Sequence, residues 1–314
     1  MTTSNSVSPP RSILRSGSIV SWTMAGVTVV GLAVFFHQGL TNLFAREWSR
    51  PEYSHGILIP LISAGIVWLK RREVAAVTNR GAWAGIAILI ASLLLALVGQ
   101  LATIYLLIYI ALVFSIIGFV LSFLGWSATR VLWFPLLYLF FMVPLPDFLI
   151  VQLSAEMQLL SSALGVWFIR LFGISVFLEG NVIDLGGFKM QVVEACNGLR
   201  YLFPLMSFGM LIAYLYKGPL WQRAVLFLST IPITIAMNVL RIGLIGLLYE
   251  YSGIFVAEGL LHDFEGWAVF LVCIAILLIE IKILTLFVPG RKRLIDLFSV
   301  LHSHPERKPG PYAT

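Results

Sequence analysis

Charged residues are scarce in this chain of 314 residues, and that scarcity excludes a soluble globular domain. Asp, Glu, Lys and Arg make up 11% of the residues, whereas 59% are hydrophobic; soluble proteins carry about 25% charged residues. So few polar side chains cannot cover a globule in water, so lipid must solvate much of the molecule. The net charge of +6 comes from residues between apolar runs, which indicates membrane topology and argues against a nucleic-acid partner.

Cysteine is scarce too, which excludes a disulfide framework. Of the two cysteines, Cys273 lies in a long apolar run and is expected to be a small buried hydrophobe, whereas Cys196 stands among polar residues and glycine. The sequence contains no G-x-S-x-G, H-E-x-x-H, Walker or paired-cysteine zinc motif. No metal and no cofactor are therefore predicted.

Apolar runs of about twenty residues predict an all-α polytopic membrane protein with about eight transmembrane helices. The predicted spans are 20–39, 56–69, 82–99, 101–124, 131–149, 199–216, 224–248 and 267–288. They give a disordered tail over 1–19, a membrane domain over 20–288, and a second tail over 289–314.

Basic clusters orient these spans, because positive residues accumulate in cytoplasmic loops. Eight spans with both termini in the cytoplasm place every cluster inside: Arg11 and Arg15, Lys70 to Arg72 with Arg80, Arg130, Lys217 with Arg223, and Arg291 to Arg293. The outer side then holds 41–55, the long insertion of about 144–198, and 249–266. Most of the polar residues that could take part in catalysis or binding fall in these outer segments.

The outer insertion is predicted to have structure of its own. Residues 148–171 mix apolar residues with Gln, Ser and Glu, a pattern that suits an amphipathic helix in the membrane interface; a ninth span is the competing interpretation. Glycines then separate short apolar stretches at 175–178, 182–185 and 188–193, which predicts a small β-sheet with glycine turns before the sixth span.

Cys196 is the first candidate for catalysis, because it stands where the last predicted strand meets the sixth span. A helix N-terminus favours thiolate over thiol. Asn197 is a good N-cap residue, and Gly198 would allow close approach of another backbone. The alternative is a cysteine that is merely buried at a span boundary.

Arg241 and His262 are the other candidates. Arg241 lies within an apolar run about two turns from the outer surface, so it either faces a water-filled cavity or snorkels to the interface. Asn238, one turn earlier, would share its face and could hold the guanidinium. His262 precedes the eighth span and suits acid–base work. A Cys, an Arg and a His at one depth provide the groups for thioester-forming acyl transfer.

Two further outer features are less specific. His55 opens the second span and either lines the same cavity or caps the helix. Pro144 and Pro146 are expected to end the fifth span, because proline cannot sustain a helix interior.

Together these motifs resemble the exosortase/archaeosortase family. The resemblance is carried by Tyr53-Ser54-His55-Gly56, Val143-Pro144-Leu145-Pro146, Leu178-Glu179-Gly180-Asn181, Glu194-Ala195-Cys196-Asn197-Gly198-Leu199-Arg200, Asn238-x-x-Arg241 and His262-Asp263-Phe264-Glu265-Gly266-Trp267. They occur in order over residues 50 to 285, and the ordered set is specific although no single motif is. Archaeal relatives can carry arginine in place of the histidine, so the chain resembles the bacterial branch.

The resemblance implies a cysteine protease and transpeptidase of the bacterial inner membrane with its active site at the periplasmic face. Its partners would be exported proteins with a C-terminal Pro-containing motif (of the Val-Pro-Leu-Pro-Ala type), a hydrophobic span and a basic end. Cys196 would be the nucleophile, with Arg241 and His262 as the other catalytic residues. Asn197, Gly198, Arg200, Asn238, His55 and Glu194 would support the site or bind substrate.

Many members of this family carry a C-terminal soluble domain, whose function here would come from a separate companion protein or be dispensable. Two other functions remain open from the residues themselves: a transporter or flippase that binds an anionic substrate, and a non-catalytic scaffold for polysaccharide export.

Overall fold

The computed structural model describes residues 16–78, 81–192, 198–252 and 267–287. Within those ranges the chain is mostly helical. The helices are α1 (Ser16–Phe35), α2 (His37–Asn42), α3 (Leu58–Leu69), α4 (Arg71–Val77), α5 (Trp83–Leu101), α6 (Tyr105–Val131), α7 (Trp133–Tyr138), α8 (Asp147–Leu171), α9 (Leu199–Leu215), α10 (Leu220–Leu228), α11 (Thr230–Ser252) and α12 (Trp267–Leu286). Shorter turns of π- or 3₁₀-helix occupy Leu43–Glu47, Ser54–Ile57 and Leu139–Met142.

The predicted class of a multi-pass helical membrane protein with a small sheet is confirmed. Five helical segments of the described chain are long and apolar enough to cross a membrane: α5, α6, α8, Leu220–Ser252 and α12. A sixth is formed if α1 and the segment His37–Glu47, which meet at a bend of 60°, are one span. The total of eight spans and the cytoplasmic termini stay predictions.

Two of the predicted spans have different bounds from those expected. The sequence separated spans 101–124 and 131–149, whereas α6 continues to Val131 and is broken only at Gly125, whose φ of 78° and ψ of 179° are not helical. The next helical segment ends at Met142, and Val143 is extended. This early end agrees with the predicted effect of the prolines at 144 and 146.

The chain divides into two compact units. The first unit comprises Met1–Arg46 and Ile62–Val143, and the second comprises Glu47–Leu61 and Pro144–Thr314. In the first unit α5 packs along α6. A Cβ added to Gly85 would lie 2.7 Å from Ser122 Cα and 2.8 Å from Gly118 O, so the two backbones touch. Small residues permit this approach in membrane helices.

The second unit is built on α8 and α11. Gly165 of α8 receives the side chain of Ile242, since a Cβ added there would lie 2.6 Å from Ile242 Cγ2. Apolar residues of both helices and of the sheet form one buried cluster: Val166, Ile169, Val176, Ile183, Leu185, Val192 and Ile242. On the other side of α11, Cys273 of α12 is completely buried beside Tyr201, Leu205 and Met237, as the sequence predicted for this cysteine.

The predicted sheet is present as three antiparallel strands in the order β1 (Phe177–Glu179), β2 (Val182–Asp184) and β3 (Lys189–Gln191). Gly180 begins the first turn with φ 60°, and Gly186 begins the second with φ 86°. A positive φ at the first of two loop residues is what a type II′ hairpin requires, and glycine adopts it without strain. The sheet lies on α8 and leads towards Cys196.

Candidate active site

The start of α9 sets the position of the segment that carries Cys196. The first helical residue is Leu199, and Gly198 occupies the cap position with φ 84°. Asn197, which the sequence suggested as an N-cap residue, lies outside the described residues. The chain enters α9 through Gly198 in a left-handed conformation that only glycine adopts readily.

The reason expected for Gly198 needs correction. A Cβ added there would make ordinary contacts, 3.5 Å from Met157 Cε and 3.6 Å from Asn238 Cβ and Cγ. Glycine is thus required by the backbone conformation and not by close approach of another backbone. The same distances place the entry to α9 directly against Asn238 of α11.

Arg241 reaches from α11 towards α9. Its Nη1 donates to the hydroxyl of Tyr201 at 3.4 Å, and Tyr201 is 3% exposed. Arg241 itself is partly exposed, so the choice between a water-filled cavity and snorkelling stays a prediction. Tyr201 was not singled out from the sequence, although it lies only three residues after Gly198.

Asn238 joins α11 to α8. Its Nδ2 donates to Ser161 Oγ of α8 at 2.8 Å, and both residues are buried. That this amide could also hold the Arg241 guanidinium stays a prediction. A buried hydrogen bond of this kind fixes the relative rotation of the two helices, since breaking it would leave unsatisfied groups.

A polar face of α8 continues this connection to the sheet. Gln158 Nε2 donates to Ser154 Oγ at 3.1 Å, and its Oε1 accepts a hydrogen bond from Asn181 Nδ2 at 3.0 Å. The same Asn181 nitrogen donates to Val192 O at 2.9 Å. Of the polar residues expected to face water on an interfacial helix, Gln152 and Glu156 are exposed, whereas Ser154 and Gln158 face the second unit. There Gln158 and Asn181 hold the strand end at Val192.

Arg200 and His55 both have buried nitrogen atoms. Arg200 Nε and the two ring nitrogens of His55 are shielded from solvent and have no hydrogen-bond partner among the described residues. His55 lies in the short 3₁₀ turn Ser54–Ile57. The sequence left two roles open for His55, lining a cavity or capping a helix. Among the described residues its side chain makes no capping hydrogen bond, and the cavity role stays a prediction.

Tyr53 anchors the segment that carries His55. Its hydroxyl accepts a hydrogen bond from the backbone N–H of Leu145 at 2.9 Å, and its ring stacks on Phe203 with centroids 5.4 Å apart. Burial raises the pKa of Tyr53 to about 12, so the hydroxyl stays neutral at physiological pH. An ion pair between Arg50 and Asp147 at 2.8 Å adds a second link from this segment to the start of α8.

Four of the predicted site residues lie outside the described ranges: Glu194, Cys196, Asn197 and His262. Of the others, the structure brings Gly198, Asn238 and Arg241 together around the α9–α11 contact. It adds Tyr201, Ser161 and the Gln158–Asn181 pair, none of which was predicted to serve the site. The described residues contain no group of three or more His, Cys, Asp or Glu side chains arranged to hold a metal ion.

The comparison with known families was positive for one family. The model of the transmembrane exosortases matches residues 48–279, nearly three quarters of the chain. The matched range contains Cys196, Arg241 and His262, and it begins at the segment anchored by Tyr53. The resemblance inferred from the motifs is thereby confirmed for the family as a whole. Searches among curated proteins and among solved structures found no match.

Proposed function

The chain belongs to the transmembrane exosortase family, and we propose that it is a membrane-embedded cysteine peptidase and transpeptidase with Cys196 as its nucleophile. It would cleave the C-terminal sorting signal of exported proteins at the outer face of a bacterial inner membrane. The observation that supports this most is the meeting of Arg241 with the α9 entry, through Tyr201 at 3.4 Å and through Asn238 against Gly198.

Covalent geometry links this contact to the nucleophile. Cys196 precedes Gly198 by two residues, and two Cα–Cα steps of 3.8 Å span at most about 7.6 Å. Asn238 is one helical turn from Arg241, and this supports the proposal that the thiol and the guanidinium act at the same site. A nearby guanidinium lowers the pKa of a thiol and stabilises an oxyanion.

In the proposed reaction, the Cys196 thiolate attacks the carbonyl carbon of the scissile peptide bond. Arg241 stabilises the negative charge that develops on the carbonyl oxygen. The tetrahedral intermediate collapses to a thioester as the C–N bond breaks, and His262 gives a proton to the leaving amine. An amine or water then attacks the thioester and regenerates the thiol.

Three features of the second unit would position these groups. The Asn181 amide holds Val192, the last described residue before Cys196, and Gly198 fixes the direction of the chain after it. The Asn238–Ser161 bond sets the rotation of α11 and hence the position of Arg241. Pre-positioning of this kind is a large part of enzymatic rate enhancement.

The proposal is tested in cells with a secreted reporter that ends in Val-Pro-Leu-Pro-Ala, an apolar span and an arginine cluster. Replacement of Cys196 by Ala should abolish cleavage of this tail, and Cys196→Ser should lower the rate by at least a hundredfold, because a hydroxyl is far less ionised than a thiol. The readout is the size of the reporter on immunoblots, together with the membrane level of each variant.

One control variant and one contradicting outcome complete the experiment. Cys273→Ala removes the other cysteine, which is buried in the α9–α12 core, and should leave cleavage unchanged. Continued cleavage by a Cys196→Ala protein present at normal levels would refute the catalytic proposal and favour a transporter or a scaffold.

A further inference from the structure

The hydrogen-bond pattern of the sheet shows which way the backbone groups of β3 point. Leu185 N donates to Phe188 O at 2.9 Å, and Val192 N donates to Asn181 O at 2.8 Å. Both bonds join β3 to β2 at residue pairs that the register places opposite each other. Hydrogen-bonded and non-hydrogen-bonded pairs alternate along an antiparallel ladder.

The alternation leaves two residues of β3 facing outward. Lys189 is opposite Asp184 and Gln191 is opposite Val182, and both pairs fall between the hydrogen-bonded ones. The N–H and C=O groups of Lys189 and Gln191 therefore point away from β2, to the outer edge of the sheet. Among the described residues no hydrogen bond to these edge groups is recorded, and both residues are exposed.

The opposite edge of the sheet is less accessible to another chain. There Arg170 Nη2 of α8 donates to Val176 O, the residue before β1, at 2.9 Å. Val176 is itself buried in the core shared by α8 and the sheet. At the β3 edge, the N–H and C=O groups of Lys189 and Gln191 can therefore pair with a further strand. At the β1 edge, the Val176 carbonyl already accepts a hydrogen bond from Arg170.

We infer that the outer edge of β3 binds the polypeptide substrate in an extended conformation, as a fourth strand of the sheet. This inference rests on the proposed function, since it names how the same active site holds its substrate. The position of β3 supports it: Gln191 precedes Cys196 by five residues, a stretch that reaches at most about 18 Å. An added strand lies about 4.8 Å from β3, so its backbone would run alongside the strand from which the chain continues to the nucleophile.

Edge pairing would allow one site to accept exported proteins of different sequence. Backbone hydrogen bonds supply affinity that does not depend on side chains, and alternate side chains of the added strand select the signal. The β3 edge is only three residues long, which limits unwanted pairing between copies of the protein.

The inference is tested by removing one outward N–H without disturbing the β2–β3 ladder. Gln191→Pro does this, because the Gln191 N–H is not used within the sheet and proline is tolerated at an edge. Gln191→Ala is its partner, since it removes the same side chain and keeps the N–H. Cleavage of the reporter should be at least tenfold slower with Gln191→Pro than with Gln191→Ala; equal rates would overturn the inference.

Two further measurements separate misfolding, failure of the inference and failure of the proposed function. In detergent-solubilised Cys273→Ala background, alkylation of Cys196 by iodoacetamide should proceed at the same rate in both Gln191 variants, which shows that the sheet and its continuation are intact. A photo-crosslinking residue at Lys189 should capture the uncleaved reporter tail in a Cys196→Ala protein.

Absence of the crosslink overturns the inference while leaving the catalytic test untouched, because that test depends on Cys196 alone. If instead Cys196→Ala still cleaves the reporter, the proposed function fails whatever the crosslink shows.

Discussion

The helix pair α5–α6 and the helix pair α8–α11 are joined by different physical means. In α5–α6 glycine and other small residues bring one backbone against the other: a Cβ on Gly118 would lie 2.9 Å from Leu89 N and 3.0 Å from Gly85 O. In α8–α11 glycines receive whole side chains, as Gly165 receives Ile242, and a buried amide–hydroxyl bond between Asn238 and Ser161 completes the contact.

The difference suggests that α5–α6 serves the stability of the fold, whereas α8–α11 serves the proposed site. Contact between backbones leaves no room for water or substrate, and it suits a pair whose only task is to stay together. Buried polar groups are costly unless each finds a partner, so their concentration on α8 and α11 requires another explanation than stability. Under the proposed function, positioning of Arg241 and of the strand end before Cys196 would supply that explanation.

The largest effect should come from breaking the backbone contact of α5 and α6. Gly85→Val places a branched side chain where Ser122 backbone atoms lie, and these cannot move aside as a flexible side chain would. We expect a loss of at least about 3 kcal/mol of stability, the upper end for overpacking. The measurement is the thermal midpoint and the monodisperse fraction after detergent extraction.

Gly31→Val is the matched control for this change. Gly31 lies in α1 with no atom within 4 Å of an added Cβ, so this substitution should leave both readouts close to those of the unaltered protein. Equal behaviour of the two variants would show that α5 and α6 do not need backbone contact.

An intermediate effect, on rate and not on stability, should follow Arg241→Lys. Lysine keeps the positive charge but loses the planar fork that can bond Tyr201 and an oxyanion together. We expect reporter cleavage to fall at least tenfold, which corresponds to about 1.4 kcal/mol, while the thermal midpoint changes little.

Arg223→Lys provides the comparison within the same unit. Arg223 donates to the carbonyl oxygens of Tyr216 and Tyr214 at the end of α9, so its replacement should lower stability and spare the cleavage rate. Normal cleavage by Arg241→Lys would mean that Arg241 supplies charge alone.

The smallest effect should come from the polar face of α8. Asn181→Ala removes the amide that donates to Gln158 and to Val192, at a cost of about 1–3 kcal/mol for the acceptors left behind. Cleavage should slow several-fold because the strand end before Cys196 is less well fixed. Asn181→Asp should be slower still, since a carboxylate would face two acceptors; a faster Asp variant would contradict the assigned donor role. Both are measured by reporter cleavage and thermal midpoint.

Much of the fold follows from the sequence because lipid imposes simple rules. Long apolar runs predicted the helices, and glycine positions predicted both hairpin turns, in which Gly180 and Gly186 have positive φ. The predicted end of the fourth span at 124 falls directly before the break at Gly125, but nothing in the apolar pattern indicated that the helix continues beyond it to Val131.

The site was only partly predictable, and the reason is the range of the contacts. Arg241 could be identified from the sequence because a charged residue within an apolar span is energetically costly and is usually functional. Tyr201, Ser161 and Gln158 look like ordinary helix residues, and their roles arise from partners 40, 77 and 23 positions away. Asn238 was correctly placed on the face of α11 that matters, but its partner lies on another helix, which periodicity along one helix cannot reveal.

The discontinuity of the second unit has a consequence for how the protein is made. The segment Glu47–Leu61 belongs with Pro144–Thr314, and the bond of Tyr53 to Leu145 joins positions 92 residues apart. At a synthesis rate of about 5–20 residues per second, this segment leaves the ribosome roughly 5–18 seconds before its partners do. During that interval the α5–α6 pair can assemble, whereas Tyr53 lacks its hydrogen-bond partner until Leu145 has been synthesised.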